Sequence, residues 1–462
     1  MDMNYYLLYT VLASFLGLLL FLPFIHSKKS IIFLYFIMCL MFFAGTPYRI
    51  FYRIQGNIKM DYIAGLRDFF IIFLIILYGL KMKMRNSLFY KLFIALIVFY
   101  ILSAIFVYDK IMVGIWGIRW VVIPMLFGFL FTELYFRRQK KINSYLKFLA
   151  IILLLQSSYA IYQWYNFPQF DTPVRGSYVE FREKATEFTD LPQMTGKKIR
   201  TYGFTYGITD MDHFLPQVGI IILILTVSGI YRNKLSLIAI ISFIFWLVIA
   251  KEKAAIAVTI VGVCSYILFN LLIHKKMKYL LVLLALAISW GYFVRTVNSG
   301  NIVVKNASIS RLMDLSAPFS RGTGLSRTKY WKREVVPSIK NNPLGYGIGM
   351  AHSNRITQTM HIGWMPHNLY FQILLEVGII GFVLFVLLIC LYFLKVIKFS
   401  HYLNRENSVI VVSFASSITG VLAYGMASVP LDLSGGIVFW ISVMMSYYIL
   451  TKRENYEGIN AK

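Results

Sequence analysis

The side chains best suited to chemistry crowd into one stretch, residues 321–383. His367, which follows Pro366 and opens a long apolar segment, is the side chain best able to accept a proton near neutral pH. The first-turn N–H groups of a helix starting there have no intrahelical partners, and such a terminus favours an anion. Arg327 and Trp331 are four residues apart, so one short helix presents both on the same side. A second arginine, Arg200, opens the segment RTYGFTYGITDMDH well upstream. A guanidinium stays charged and forks two hydrogen bonds onto phosphate oxygens, so two of them converging would hold a pyrophosphate without a metal. Glu376 is a lone carboxylate inside the apolar segment. Helical rotation turns it away from His367, and its burial calls for a cation (Arg67, Arg119 and Lys253 are candidates) or for a proton kept against a neighbouring helix. Gly378 and Gly381 read as small residues permitting close helix contact. Gly345, Gly347 and Gly349 in PLGYGIG read as a turn, because no strand precedes them and no Lys-Ser/Thr follows. His352, His361 and His367 match no metal-ligand spacing, so neither metal nor cofactor is expected.

The elements that must position these residues are membrane spans. Of the 462 residues, 58% are hydrophobic and 14% charged, whereas soluble domains run at roughly 45–50% and 25%. So much apolar surface cannot be hidden in one water-soluble core, and the fold class expected is an all-α integral membrane protein. Apolar runs near 5–25, 30–47, 63–80, 90–107, 115–136, 145–165, 213–231, 235–250, 254–273, 279–295, 367–394, 409–428 and 433–450 give about 13 spans, with 12–14 the range. The run 5–25 lacks a basic leader and a cleavage pattern, and reads as a retained span. Clusters such as Lys28-Lys29, Arg137-Arg138, Lys275-Lys276 and Lys452-Arg453 fall on alternate connections. The positive-inside rule therefore puts the N-terminus outside and the C-terminus in the cytoplasm.

The expected organisation is N-terminal spans over 1–165, a long outer loop over 166–212, central spans over 213–295, a second outer loop over 296–366, and C-terminal spans with a cytoplasmic tail over 367–462. The first loop is nearly neutral, with six Lys/Arg against seven Asp/Glu. The second carries nine against two, a net +7 that suits an anionic headgroup or equally a bed of anionic lipid. The chain's net charge of +26 is not gathered into a separate basic domain, which argues against nucleic acid as a partner. Cys39, Cys264 and Cys390 lie in apolar runs and match neither a disulfide framework nor a zinc site.

Taken together, Arg327-x-x-x-Trp331, then Pro343-Leu344-Gly345-x-Gly347-x-Gly349, then His367-Asn368-x-Tyr370-x-Gln372-x-Leu374-x-Glu376-x-Gly378-x-x-Gly381 resemble the signature of the O-antigen polymerase and O-antigen ligase family. Arg200-x-x-Gly203 is similar to that family's other arginine motif, while Lys251-Glu252-Lys253 stands where the family often shows Ser-Arg. The resemblance implies a GT-C-like membrane glycosyltransferase of the bacterial cell membrane. It would take glycan from a polyprenyl-pyrophosphate-linked oligosaccharide and pass it to an acceptor glycan on the outer face, for an O-antigen, capsule, exopolysaccharide or teichuronic-type polymer. It implies His367 as general base in an inverting displacement, with Arg200, Arg327, Asn368, Trp331 and Lys253 binding substrate and Glu376, Gly378 and Gly381 structural. Besides the lipid bilayer, a flippase and a chain-length regulator are candidate partners. Polymerase and ligase share these motifs. A flippase of lipid-linked sugar is the alternative from another class, against which stand the missing internal repeat and the basic outer loop.

Overall fold

The computed structural model describes residues 30–42, 87–105, 111–137, 142–165, 208–250, 253–298, 322–351, 366–431 and 433–460. The expected spans at 5–25 and 63–80, and Arg200, lie outside them.

The described elements are helices. In chain order they are α1 (Ser30–Phe42), α2 (Leu88–Ser103), α3 (Ile111–Gly117, a π-helical turn Ile118–Val122, then Ile123–Arg137), α4 (Asn143–Tyr165), α5 (Ile208–Val227) and α6 (Lys234–Ala250). There follow α7 (Lys253–His274), α8 (Met277–Asn298), α9 (Gly322–Tyr330, a π-helical turn Trp331–Val335, then Val336–Asn341), α10 (Leu369–Phe399), α11 (Arg405–Tyr424) and α12 (Leu433–Asn460). Six stretches are long and apolar enough to cross a bilayer: Val113–Arg137, Asn143–Tyr162, Ala255–His274, Leu369–Tyr402, Arg405–Tyr424 and Gly435–Lys452. Leu88–Ser103, His213–Val227, Lys234–Val248 and Met277–Ser289 are shorter apolar helices. The described secondary structure is all helical, and its long apolar helices fit the membrane protein that the composition calls for.

Because lipid supplies no hydrophobic drive between helices, the interior is held by packing of side chains of matched shape. Two apolar clusters share α3, α11 and α12. One joins them to α1, α4, α5 and α6 around Phe131, Phe214 and Trp246. The other joins them to α2 and α10 around Phe93, Ile373, Tyr392 and Trp440. Close approach is secured by small residues, as at Gly128, where a Cβ would lie 2.7 Å from Trp440 Cβ. By contrast α8 turns Leu281, Val282, Leu284, Leu286 and Ile288 outward, as a lipid-facing helix does.

The second expected outer loop holds the helix α9. This helix packs through Tyr330, Trp331 and Ile339 on a small cluster of Val335, Ala351 and Leu375, which binds it to the first turns of α10.

Candidate functional site

The start of α10 is built by two residues. Asn368 has an extended backbone, and its Oδ1 accepts hydrogen bonds from the N–H groups of Tyr370 and Phe371, both at 3.0 Å. These are two of the donors that a helix start leaves orphaned. His367, just before it, has φ of 45°, a left-handed conformation uncommon in a side-chain-bearing residue. Such strained backbone persists only where its surroundings over-determine it, and here they do. Trp331 Nε1 donates to Pro366 O at 2.5 Å, while Asn368 Nδ2 donates to Met426 O at 2.9 Å. The bend is held from both sides, and His367 projects from it as an exposed residue.

The tight turn after α11 is the anchor for all of this. Leu369 N donates to Gly425 O at 2.7 Å, Asn368 Nδ2 to Met426 O, and Arg327 Nη1 to Ala427 O at 2.6 Å. Ser428 Oγ meets His213 Nε2 of α5 at 3.2 Å. Four consecutive residues thus bind four different groups. Tyr370 adds a hydrogen bond from its hydroxyl to Leu422 O at 2.7 Å.

Arg327 lies close enough to His367 for its charge to be felt by the imidazole. The surrounding protein, and then the Arg327 guanidinium, push the His367 pKa below its ordinary value. Burial also lowers that of Arg327, which remains a cation across the accessible pH range, with Tyr424 acting in the opposite sense. A neutral imidazole beside a fixed positive charge can take a proton from a hydroxyl while the cation attracts an anionic group.

One level deeper, the glycine-rich stretch forms the expected turn, with positive φ at Gly345 (89°), Gly347 (98°) and Gly349 (88°). It docks where α10 breaks, at Gly378, whose φ of 65° and ψ of −167° are not helical. Gly378 is therefore not the helix-packing glycine expected from the sequence. A Cβ there would lie 2.3 Å from Pro343 O, so its bareness admits the glycine turn. Gly381 packs beneath the break, where a Cβ would lie 2.3 Å from Val377 Cγ2 and 3.4 Å from Phe99 Cδ1.

The sequence leaves Glu376 either a cation or a retained proton; of the candidate cations, Arg67 and the side chain of Lys253 lie outside the described residues. Gln372 Nε2 donates to Glu376 Oε1 at 3.2 Å, and the backbone N–H groups of Gly349 and Ala351 donate to its carboxyl. Those amides need an acceptor because the turn that carries them is buried. Arg119, another candidate, lies over the Trp116 ring with its guanidinium carbon 4.4 Å from the centroid.

The structure brings together His367, Arg327, Trp331 and Asn368, with Glu376, Gly378 and Gly381 beneath them. Asn368 is turned into the protein and is 7% exposed, which gives it a positioning task. Lys253 is the first residue of α7. The residues missed in the sequence are His213, Tyr424 and Ser428. Their one legible signal was His213 and Gln217, polar groups four apart on an apolar helix. Among the described residues no group of three or more His, Cys, Asp or Glu is arranged to hold a metal ion.

Residues 220–386 match the O-antigen ligase family model. The resemblance to the O-antigen polymerase and ligase family is thereby borne out. The O-antigen ligase match takes in α6 to α9, the glycine turn and α10 past its break, and so includes Arg327, Trp331, His367, Asn368 and Glu376. It ends before the 425–428 turn that these residues grip. A comparison with curated proteins gave no match.

Proposed function

We propose that the protein is a polymerase of a cell-surface polysaccharide, acting on the outer face of the bacterial cytoplasmic membrane with its N-terminus outside. It transfers glycan from a polyprenyl-pyrophosphate-linked donor to a sugar hydroxyl of the acceptor. The family match supports ligase or polymerase activity in general, and the six membrane-length apolar helices among the described residues support a multi-pass membrane protein, for which a GT-C-like architecture of about thirteen spans is part of the proposal.

One observation carries the reading. His367, held in a left-handed bend, lies within the electrostatic reach of Arg327, and Arg327 and Asn368, the residue after the histidine, are both fastened to the 425–428 turn. In the proposed reaction His367 accepts the proton of the acceptor hydroxyl as that oxygen attacks the anomeric carbon. The bond from that carbon to the pyrophosphate breaks as the new glycosidic bond forms, which inverts the anomeric configuration. Negative charge grows on the leaving pyrophosphate, and Arg327 with Arg200 stabilises it. Trp331 supplies an aromatic face and an anchor for the bend. Neither a metal nor a nucleotide takes part.

The test is transfer by the purified protein in vesicles, using lipid-linked oligosaccharide extracted from the producing strain. His367→Ala and Arg327→Ala are each expected to lower transfer by about 10²–10⁴-fold, the range of a lost general base or charge stabiliser, with normal membrane insertion. Near wild-type product from either variant removes that residue from the mechanism. Ligation of finished glycan is the second reading, favoured by the description of the matching family. A deletion strain that accumulates single lipid-linked repeats supports polymerisation, and one that accumulates long unattached chains supports ligation.

A further inference from the structure

His213 is buried, 5% exposed, on the membrane helix α5, far in sequence from Arg327 and His367. Its side chain is enclosed on three sides. Nε2 meets Ser428 Oγ at 3.2 Å, the Tyr424 ring stands edge-on at 5.7 Å, and the start of α12 closes in at Gly435, where a Cβ would lie 2.9 Å from His213 Cβ. Its backbone is held too: Gln217 Nε2 donates to His213 O at 2.6 Å and to Gly435 O at 3.0 Å, and Ser417 Oγ donates to Gln217 O at 3.0 Å. The far end of this chain of contacts is the turn whose three preceding carbonyls receive Leu369 N, Asn368 Nδ2 and Arg327 Nη1.

A turn so short has little packing of its own. Its internal hydrogen bonds run back to Val421, Ala423 and Tyr424 and fix its shape, but not its place relative to α9 and α10. The His213 to Ser428 contact is the described side-chain link that fastens the turn to α5. We propose that His213 is a positioning residue, which holds Ser428 and thereby sets where the Ala427 carbonyl aims Arg327 and where Asn368 seats the His367 bend. The inference rests on the reading of His367 and Arg327 as the transfer site. His213 acts through the turn and touches no reacting atom.

The experiment uses the full-length protein in vesicles, supplied with lipid-linked oligosaccharide from the producing strain, with kcat and KM measured separately. A displacement of about 1 Å in a positioned group lowers a rate by up to about 10²-fold, so His213→Ala is expected to lower kcat by about 10- to 100-fold and leave KM within about threefold. His213→Gln places an amide where Nε2 was and offers either a donor or an acceptor to Ser428, so it is expected to restore most of kcat whichever tautomer the histidine adopts. Ser428→Ala is expected to act like His213→Ala, and the double variant to be no slower than either alone.

Wild-type kcat in His213→Ala, no rescue by His213→Gln, or losses that multiply in the double variant overturn the proposal. If His213→Ala fails to insert, Ser428→Ala and His213→Gln carry the same test. Arg327→Ala in parallel separates the two claims. Full transfer by that variant refutes the site and this inference with it, whereas an inactive Arg327→Ala beside a fully active His213→Ala refutes the inference alone.

Discussion

Asn368 is the residue whose replacement best separates holding the site from holding the fold. Its Oδ1 caps α10, and its Nδ2 bridges to Met426 O. Asn368→Ala removes both. Loss of an N-cap costs about 1 kcal/mol, and leaving the Met426 carbonyl without its donor costs about 1–3 kcal/mol, for a total of about 2–4 kcal/mol. Asn368→Ser keeps a good cap but is too short to reach Met426, so only the second loss applies, about 1–3 kcal/mol. Thermal unfolding in detergent should therefore rank wild type above Ser and Ser above Ala. Glycan transfer should not follow that order. Both variants sever the bridge to the turn that also receives Arg327, and both should fall by a similar factor, up to about 10²-fold for a shift of about 1 Å. The reasoning fails if Asn368→Ser transfers at the wild-type rate, because a cap alone would then suffice. It fails equally if Asn368→Ala melts with the wild type.

Two further outcomes follow from the same geometry. His367 is an exposed residue, but desolvation by the protein packed around it and then Arg327 disfavour its imidazolium, so its proton leaves at a lower pH than the ordinary value of about 6.5. The acid limb of kcat/KM should then be centred below that value, with transfer rising as pH rises through it and level at neutrality; a limb centred above neutrality contradicts the assignment. Gly378→Ala forces a Cβ to 2.3 Å from Pro343 O in backbone that only glycine adopts readily. About 1–3 kcal/mol of strain and about 1 kcal/mol for the displaced Ile379 N to Pro343 O hydrogen bond should lower the melting temperature clearly, and an unchanged melt would show that the break is not needed.

The sequence made legible whatever is written in side chains of one local pattern. Apolar runs located the helices, Pro366 and His367 placed the start of α10 two residues early, and three alternating glycines marked the turn. The four-residue spacing of Arg327 and Trp331 put both on the side of α9 that faces α10 and the turn after α11, where each makes its hydrogen bond. What stayed hidden depends on backbone groups or on distant partners. The 425–428 turn acts through carbonyl oxygens, which every residue possesses, so nothing in Gly-Met-Ala-Ser announces a hub. Gly378 looks the same in sequence whether it packs against a helix or breaks one. Glu376 invited a cation because a carboxylate in an apolar run ordinarily needs one, but its hydrogen-bond partners come from main-chain amides and a glutamine one turn away.

Those amides explain why the carboxylate, the glycines and the break occur together. In an unbroken helix Leu375 O and Glu376 O would accept from the N–H groups four residues on. At Gly378 the chain departs from the helix, and Tyr346 N takes Leu375 O at 2.7 Å while Gly347 N takes Glu376 O at 3.0 Å. In return Ile379 N donates to Pro343 O at 2.9 Å. The glycine turn thus supplies the hydrogen bonds that the helix gives up, which is the condition for irregular backbone among membrane helices. Carrying the turn that far leaves its later amides, Gly349 and Ala351, without helical or strand partners, and the Glu376 side chain receives them. The glycine turn that follows α9 and the break in α10 are joined in this way by main-chain bonds, while side chains join α9 itself to the first turns of α10. Arg327 on α9 and His367 at the mouth of α10 are therefore held in a fixed relation.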